Sequence, residues 1–467
     1  MRKYLVLLAA VLALSVGTLA AGHLHINSAR DKMDIRETVI KGDPAAAAGL
    51  AVTCHTRDWE GHLQWDTAFT PGRTEEAKSV FRLSGAGEFS SSQSSSWANL
   101  EQVTGNFGIQ GSDLDLQESD GHWFLMKPVR DVASRTAAGE SRTETVRLED
   151  YYDYFPLSLD TYSKEYPQNS IGVTSEECGW LKEYFRVRID QPAWREVTVK
   201  KGRQGQVIAY EMNPQDGNQE GELFSNCLIT EKGIFLIAET VDSNGEFDDR
   251  LECRDGAGVH LIQYREDREN EDPVNYGDLF EPRLFYPTGS ARTLWLGISP
   301  DERELLLYTW EDGRLVLTVL DAAAGEVLQR LDLIETEEEN RFFSVIEWDG
   351  LYLAVSRKDM FSLVSREGGQ YEQVLTGALE LESAEDWSVL RGDSALAWDG
   401  RRMALASTNP HAMLYDQGVG PDSAIGVGVW DGDGPCFLGT YVCGLSFEPV
   451  SEYEYASMPL SLAFTGK

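Results

Sequence analysis

Three short turn markers recur along the second half of this chain at nearly constant spacing. Ser299-Pro300-Asp301, Trp348-Asp349-Gly350 and Trp398-Asp399-Gly400 each stand between two apolar runs, and their aspartates are 48 and 50 residues apart. The incoming runs are 294–298, 343–348 and 395–398; the outgoing runs are 305–310, 351–356 and 403–407. Asp and Gly supply backbone conformations that β-branched residues resist, so each marker predicts a tight turn between strands. Further upstream, short runs such as 233–238 are rich in β-branched and aromatic residues and are cut by Gly, Asp and Asn. Long amphipathic helical periods are scarce. The pattern is all-β.

A period near 50 residues, with about four strands in each unit, is the spacing of β-propeller blades. Ile298-Ser-Pro-Asp-x-x-x-Leu-Leu-Leu-Tyr308 resembles the turn and strand of WD-repeat-like, TolB-type blades, and Asp321-Ala-Ala-Ala-Gly325-Glu326 resembles the turn that follows in them. One position departs: Glu302 stands where that pattern has Gly. The resemblance is specific over 291–334, fair over 341–445 and suggestive before that. The earlier half fits the same scheme through turns at Glu231-Lys232-Gly233, Ser119-Asp120-Gly121 (before a strand 122–126) and Glu60-Gly61, with strands at 185–189 and 207–212. The fold expected is thus an all-β propeller of about seven four-stranded blades over 46–450, clearest at 291–445. Residues 46–165 stand as the alternative, a separate β module. Residues 23–45 read as a linker with a strand at 34–41 that closes the ring, which would leave no exposed sheet edge, and 451–467 as a C-terminal tail.

The chain opens Met1-Arg2-Lys3, followed by an uncharged apolar run to Gly22. That is an export signal or, at this length, a membrane anchor formed by residues 4–22, with small residues for cleavage near 20–22. Either reading places the body outside the cytoplasm. A net charge of −36 over 467 residues argues against nucleic acid and anionic lipid as partners, so any membrane contact runs through the N-terminal segment alone. Protein or glycan ligands remain, and oligomeric state is not encoded.

Six cysteines (54, 178, 227, 253, 436, 443) in an exported chain allow three disulfides. The one local candidate is Cys436–Cys443: a turn at Gly439-Thr440 brings the sulfurs together across a hairpin, whereas one continuous strand holds them apart. Free buried thiols are the alternative for all six. No Cys-x-x-Cys occurs, which removes the zinc-ribbon and thioredoxin signatures.

Catalytic signatures are missing. There is no Gly-x-Ser-x-Gly elbow and no phosphate loop. Gly392-Asp-Ser394-Ala and Arg391-Gly392-Asp393 read as chance matches at a turn, and the sialidase Asp-box fails at Arg303. The seven histidines lack metal-site spacing; Cys54-His55 with His62 is the nearest to a cluster. Asp242-Ser-Asn244-Gly-Glu246 alternates oxygen ligands but breaks the EF-hand pattern at Phe247 and Cys253, and Asp113-Leu-Asp115 breaks it likewise, so Ca²⁺ has no motif behind it. No catalytic, metal or cofactor residues are therefore assigned.

The cluster Asp150-Tyr-Tyr-Asp-Tyr-Phe-Pro156 mixes aromatics and acids in a way that suits a basic or sugar ligand, or simple packing over a blade edge. Acidic loops at 242–256 and 266–278 and a Ser-rich loop at 85–96 are further surfaces. The function expected is non-catalytic recognition outside the cytoplasm, as sensor, scaffold or assembly component. The alternative is a surface or secreted hydrolase using paired carboxylates in the propeller's central pocket.

Overall fold

The computed structural model describes residues 33–58, 63–83, 97–102, 109–111, 126–163, 165–166, 170–175, 178–189, 193–214, 221–242, 244–264, 280–335, 343–356, 360–380, 394–407, 424–445 and 455–465, together with 14–18 and 21. Most of the proposed export segment, the Ser-rich loop, the acidic stretch 266–278, the turn at Ser119-Asp120-Gly121, and His23, His25, His62, His122 and His411 lie outside them. Among the described residues no helix is long and apolar enough to cross a membrane. The chain divides into two compact units, 1–93 with 343–467, and 94–342.

Both units contain antiparallel sheets of the propeller-blade type, in which four strands follow one another in chain order. The clearest blade runs Arg292–Ile298, Glu304–Glu311, Arg314–Asp321 and Val327–Glu335; the next runs Phe343–Trp348, Leu351–Ser356, Met360–Glu367 and Gln370–Ala378. These are WD-repeat-like blades, and the fold is an all-β propeller fold, as the marker spacing predicts.

The three markers turn the chain in three different ways. Trp348 pairs with Leu351 across Asp349 (φ 47°) and Gly350 (φ 77°), both left-handed, which is the geometry a two-residue hairpin loop demands. Trp398 pairs with Met403 across four residues, held by Asp399 Oδ1 accepting from the Arg401 and Arg402 amides at 2.9 and 2.7 Å. Ile298 pairs with Leu305 across six, where the Ser299 hydroxyl donates to Asp301 (2.7 Å) and accepts from the Glu304 amide (3.0 Å). Glu302 in that loop has φ 55°. The blade pattern places Gly there because an L-residue in this region crowds its own backbone.

In the first unit the chain ends are woven into the sheets. Met33–Gly42 pairs antiparallel with Gly434–Leu445 as a fifth strand of the last blade. The C-terminal strand Tyr455–Phe464, expected as a tail, pairs with Leu50–Asp58 and completes a four-stranded sheet with Leu63–Phe69 and Lys78–Leu83. Two strands from opposite chain ends thus each complete a sheet begun by the other end. Gly42 is fixed by this closure: it has φ 78°, and a Cβ there would lie 2.0 Å from the Cys436 carbonyl oxygen.

Gly434–Leu445 is one uninterrupted strand of 12 residues, so the turn at Gly439-Thr440 does not form. Seven residues of extended chain separate Cys436 from Cys443 by about 23 Å, beyond the reach of a disulfide. Cys436 is a free thiol, as are Cys227 and Cys253. The repeat-position Trp430 is fully buried, donates Nε1–H to the Leu379 carbonyl at 3.1 Å, and covers Gly428, where a Cβ would meet its ring at 2.2 Å. Trp348 and Trp398 pack at the edge of the same apolar cluster.

In the second unit three sheets depart from the chain-order blade, one of them made of Trp97–Gln102, Leu157–Tyr162 and Gly172–Thr174. Ile109–Gly111, Ser141–Arg147, Trp194–Lys201 and Val207–Pro214 form the second, and Tyr154–Phe155, Phe185–Arg188 and Leu251–Cys253 the third. Each gathers strands that are distant in sequence. Against the second packs helix α1 (Met126–Arg135), through Met126, Val129, Val132 and Ala133 on Val197, Val199, Tyr210 and Met212. Met126, expected as the end of a strand, opens this helix because Val129, Val132 and Ala133 recur at helical spacing and bury one stripe. Pro128 is tolerated there since the first turn needs no amide partner. A second short helix, α2 (Gly179–Tyr184), leads directly into Phe185–Arg188.

Candidate functional site

The aromatic-acidic cluster at 150–156 builds a cavity of about 300 Å³ in the second unit, lined by Lys127, Tyr151, Tyr152, Asp153, Tyr154, Phe155, Ser175, Lys182, Phe185 and Arg186. Its walls come from four local structures. The polar stripe of α1 carries Lys127, Asp131 and Arg135 one turn apart each, opposite the face that packs on the sheet. The Tyr151 hydroxyl donates to Asp131 Oδ2 at 2.6 Å, and Arg135 pairs with the same carboxylate oxygen at 2.6 Å. Lys127 Nζ lies 4.5 Å from the centre of the Tyr152 ring, a cation–π contact. Two consecutive tyrosines are thereby fixed by one helix face.

Tyr154 and Phe155 are the two residues of a short strand paired with Val187 and Arg188. The Arg186 guanidinium stands 5.5 Å from the Tyr154 ring centre, and its Nε–H donates to the Lys182 carbonyl at 3.3 Å. Phe155 and Phe185 are buried and belong to the main apolar cluster of the unit. Behind Phe185 the wall is rigid: its ring lies 4.8 Å from Tyr184 and 5.2 Å from His260, both edge-on. The Tyr184 hydroxyl and His260 Nδ1 share a hydrogen bond of 3.1 Å. Ser175 is committed to the backbone, its hydroxyl accepting from the Leu157 amide at 2.9 Å.

Among the described residues that line the cavity three are basic and one, Asp153, is acidic, while the whole chain carries 77 acidic against 41 basic residues. Asp150, the other acid of the motif, turns away to Arg147, whose guanidinium reaches its two carboxylate oxygens at 2.8 and 3.2 Å. Burial, and then the hydrogen bond to Asp131, push the Tyr151 phenol up to about 12, so it stays neutral and donating at ordinary pH. The lining has aromatic faces, cations and one carboxylate. Among the described residues it has no His or Cys, and no second carboxylate to complete an acid–base pair.

The cluster that in sequence suits a basic or sugar ligand, or packing over a blade edge, contributes both its rings and Asp153 to these walls. Lys127, Lys182, Phe185 and Arg186 were not legible as site residues, because they lie up to 59 positions from one another and carry no motif. The helical spacing of Val129, Val132 and Ala133 was the one available signal, and it would have brought Lys127 to the face opposite the core.

A second cavity of about 400 Å³ lies in the same unit at the turn ends, lined by residues that include Glu231, Lys232, Asp301 and Glu302. Its groups hold one another or the turns: Lys232 Nζ donates to the Ala322 carbonyl at 3.1 Å, and the Tyr166 hydroxyl lies 3.2 Å from both oxygens of Glu302.

The remaining sequence candidates fall elsewhere. His55 Nδ1 lies 2.8 Å from Asp66, which Arg82 also pairs at 2.9 Å. His260 is buried in strand Gly258–Tyr264, and desolvation, opposed by Asp255, lowers it to about 4. The Asp242 carboxylate accepts from the amides of Asn244 (2.8 Å) and Glu246 (2.9 Å), so the loop closes on itself as an acidic turn. Among the described residues no three His, Cys, Asp or Glu side chains gather as a metal cluster.

No protein-family model and no curated protein sequence matches this chain. Solved structures similar to it include a proposed 6-phosphogluconolactonase from Bacteroides fragilis (10% identity, 90% of this chain and 99% of that one, TM-score 0.27). Apo AztD from Citrobacter koseri is similar at 12% identity over 89% of this chain and 98% of that one, with TM-score 0.24. The β-propeller domain of Cps50 (Swd1) from Myceliophteria thermophila is similar at 8% identity over 67% and 88%, also with TM-score 0.24. Likenesses this distant add nothing to what strand order and register already establish, and they carry no activity over to this chain.

Proposed function

We propose that this chain is a non-catalytic recognition protein of the extracytoplasmic space, and that its ligand enters the cavity formed by residues 151–155. The observation that carries the reading is the make-up of that cavity. Aromatic rings and cations are held in place from behind by Asp131, the Phe155–Phe185 core and the Tyr184–His260 pair, and among the described residues one carboxylate lines the cavity and no nucleophile stands beside a base. Fixed aromatic and charged groups around a small cavity suit binding. Hydrolysis of a glycoside needs a second carboxylate.

The extracytoplasmic placement rests on the basic, then apolar, N-terminal segment. The rival hydrolase reading keeps one observation in its favour, the three carboxylates around the second cavity. The test is to incubate the purified full chain with chromogenic glycosides, esters, lactones and peptides, and to run the same compounds in a thermal-shift assay. The expected result is stabilisation by a subset of compounds with no turnover of any. Turnover that Glu231→Gln or Asp301→Asn abolishes would replace the binding reading with the hydrolytic one.

A further inference from the structure

We infer that the open edge of the strand Ser141–Arg147 pairs antiparallel with the same strand of a second copy of this chain, joining two four-stranded sheets into one about a two-fold axis. The inference goes beyond the recognition reading and does not depend on it. The sheet runs Ile109–Gly111, Val207–Pro214, Trp194–Lys201, Ser141–Arg147, so the last strand is terminal, and among the described residues it pairs with Trp194–Lys201 alone. Its seven residues pair there without a register shift, and Ser141, Arg142, Thr143, Thr145 and Arg147 are exposed. A regular, exposed edge is a template for a further strand unless something blunts it.

The outer strands of the blades are different. Phe280–Pro287 holds prolines at 282 and 287, and Val327–Glu335, Gln370–Ala378 and Met33–Gly42 each shift register against their neighbour. Lys78–Leu83 is regular, but its charged residues, Lys78 and Arg82, are both basic, so a second copy sets nothing of opposite sign against them. Ser141–Arg147 has neither proline nor bulge, and its charges are of both signs.

Symmetry limits the register. The axis of a two-fold antiparallel pair passes between one residue and its own copy. Centred on Arg142 or Glu144, it sets like charges directly opposite. Centred on Thr145, it sets Thr143 against Arg147 and makes no ion pair. Centred on Thr143, it sets Arg142 opposite the second copy's Glu144 on both sides of the axis, with Ser141 opposite Thr145. These groups keep the partners they have. Within the chain Glu144 already holds Arg142 and, at 2.6 Å, Arg135, which pairs in turn with Asp131 at 2.6 Å. Two rows of alternating sign, each neutral in sum, therefore meet at the axis, although each copy carries −36 in all. On the other face Thr143 and Thr198 share a hydrogen bond of 2.9 Å. There the two Thr143 side chains meet as a cross-strand threonine pair.

The experiment is sedimentation velocity on the purified full chain from about 1 to about 100 μM, at about 0.15 M salt so that the net charge is screened beyond about 8 Å. A monomer–dimer equilibrium is expected, in the micromolar range because one strand pair is a small interface. Arg142→Glu alone and Glu144→Arg alone each set like charges opposite at two places, and each is expected to weaken the dimer about tenfold or more. An equimolar mixture of these two variants restores opposite charges and should dimerise as the parent chain does. Thr143→Cys tests the register without touching a charge. Its sulfurs meet at the axis and should link two copies on mild oxidation, located by peptide mass. Thr145→Cys, with its sulfurs about 13 Å apart along the strands, and the parent chain should form no such link. A chain that stays monomeric at every concentration overturns the inference and leaves the edge to an extended segment of another protein. A dimer indifferent to both charge substitutions places the contact elsewhere and overturns it equally, as does Thr143→Cys that fails to link.

Discussion

The wall behind the candidate cavity carries a titratable group with a calculable effect on stability. His260 is 1% exposed, and burial outweighs the attraction of Asp255, so its imidazole titrates near 4 instead of near 6.5. In the unfolded chain the same ring takes a proton at about 6.5. Between those values the unfolded state binds the proton and the folded state does not, so stability falls as pH falls from about 6.5 to about 4. Each pH unit inside that window is worth about 1.4 kcal/mol, so at pH 4.5 this one residue costs about 2.5 kcal/mol relative to pH 7. Carboxylates also titrate in this range, and the contribution is isolated by comparison with His260→Gln. The glutamine amide keeps a hydrogen-bonding group opposite the Tyr184 hydroxyl, where the ring's Nδ1 stands, and it carries no proton to exchange. Loss of the ring contacts with Tyr184 and Phe185 lowers the variant at both pH values and cancels in the difference. Urea unfolding at pH 7 and 4.5, followed by aromatic fluorescence, should show the variant losing about 2.5 kcal/mol less than the parent chain. Equal losses would refute a desolvated neutral imidazole at this position.

Two further outcomes follow from the blades. Glu302 sits at φ 55°, so Glu302→Gly should be more stable than Glu302→Ala by about 1 kcal/mol in denaturant midpoint; parity between the two would sink the strain reading. The unbroken strand Gly434–Leu445 leaves Cys436 a free thiol whose pKa is raised by burial first and then by Asp431. Alkylation in denaturant without reductant, read by peptide mass, should modify Cys436 fully, whereas an unmodified peptide linked to the one carrying Cys443 would contradict the strand.

The fold was legible where each residue's role is local. Asp349-Gly350 needs only its own two left-handed residues to make a turn, and Leu305–Tyr308 needs only neighbouring strands to bury it, so period and turn chemistry located these elements to within a residue or two. Closure was half legible. The strand around 34–41 does pair with the last blade, but nothing in 455–464 announces that its partner is Leu50–Asp58 some 400 residues away. Strand pairing of that separation is set by the whole fold and leaves no mark on the local pattern. The disulfide candidate failed for a related reason. Gly439-Thr440 has the composition of a turn, yet Gly439 lies beneath the Phe437 ring, where a Cβ would meet the ring at 2.7 Å, and it stays extended between two partner strands.

The site shows the same division between what a segment says and what the fold does with it. The cluster at 150–156 lines a cavity, and six acidic and aromatic residues in one loop are a local fact that the sequence shows. The charges around it were not legible, because Asp150 pairs with Arg147 three residues upstream while Lys127, Lys182 and Arg186 arrive from α1, α2 and the strand after it. A loop's own composition fixes its aromatic surface; its electrostatics belong to whatever the fold packs beside it. In a chain of net charge −36, three basic residues to one acidic among the described lining residues is the feature least expected from composition.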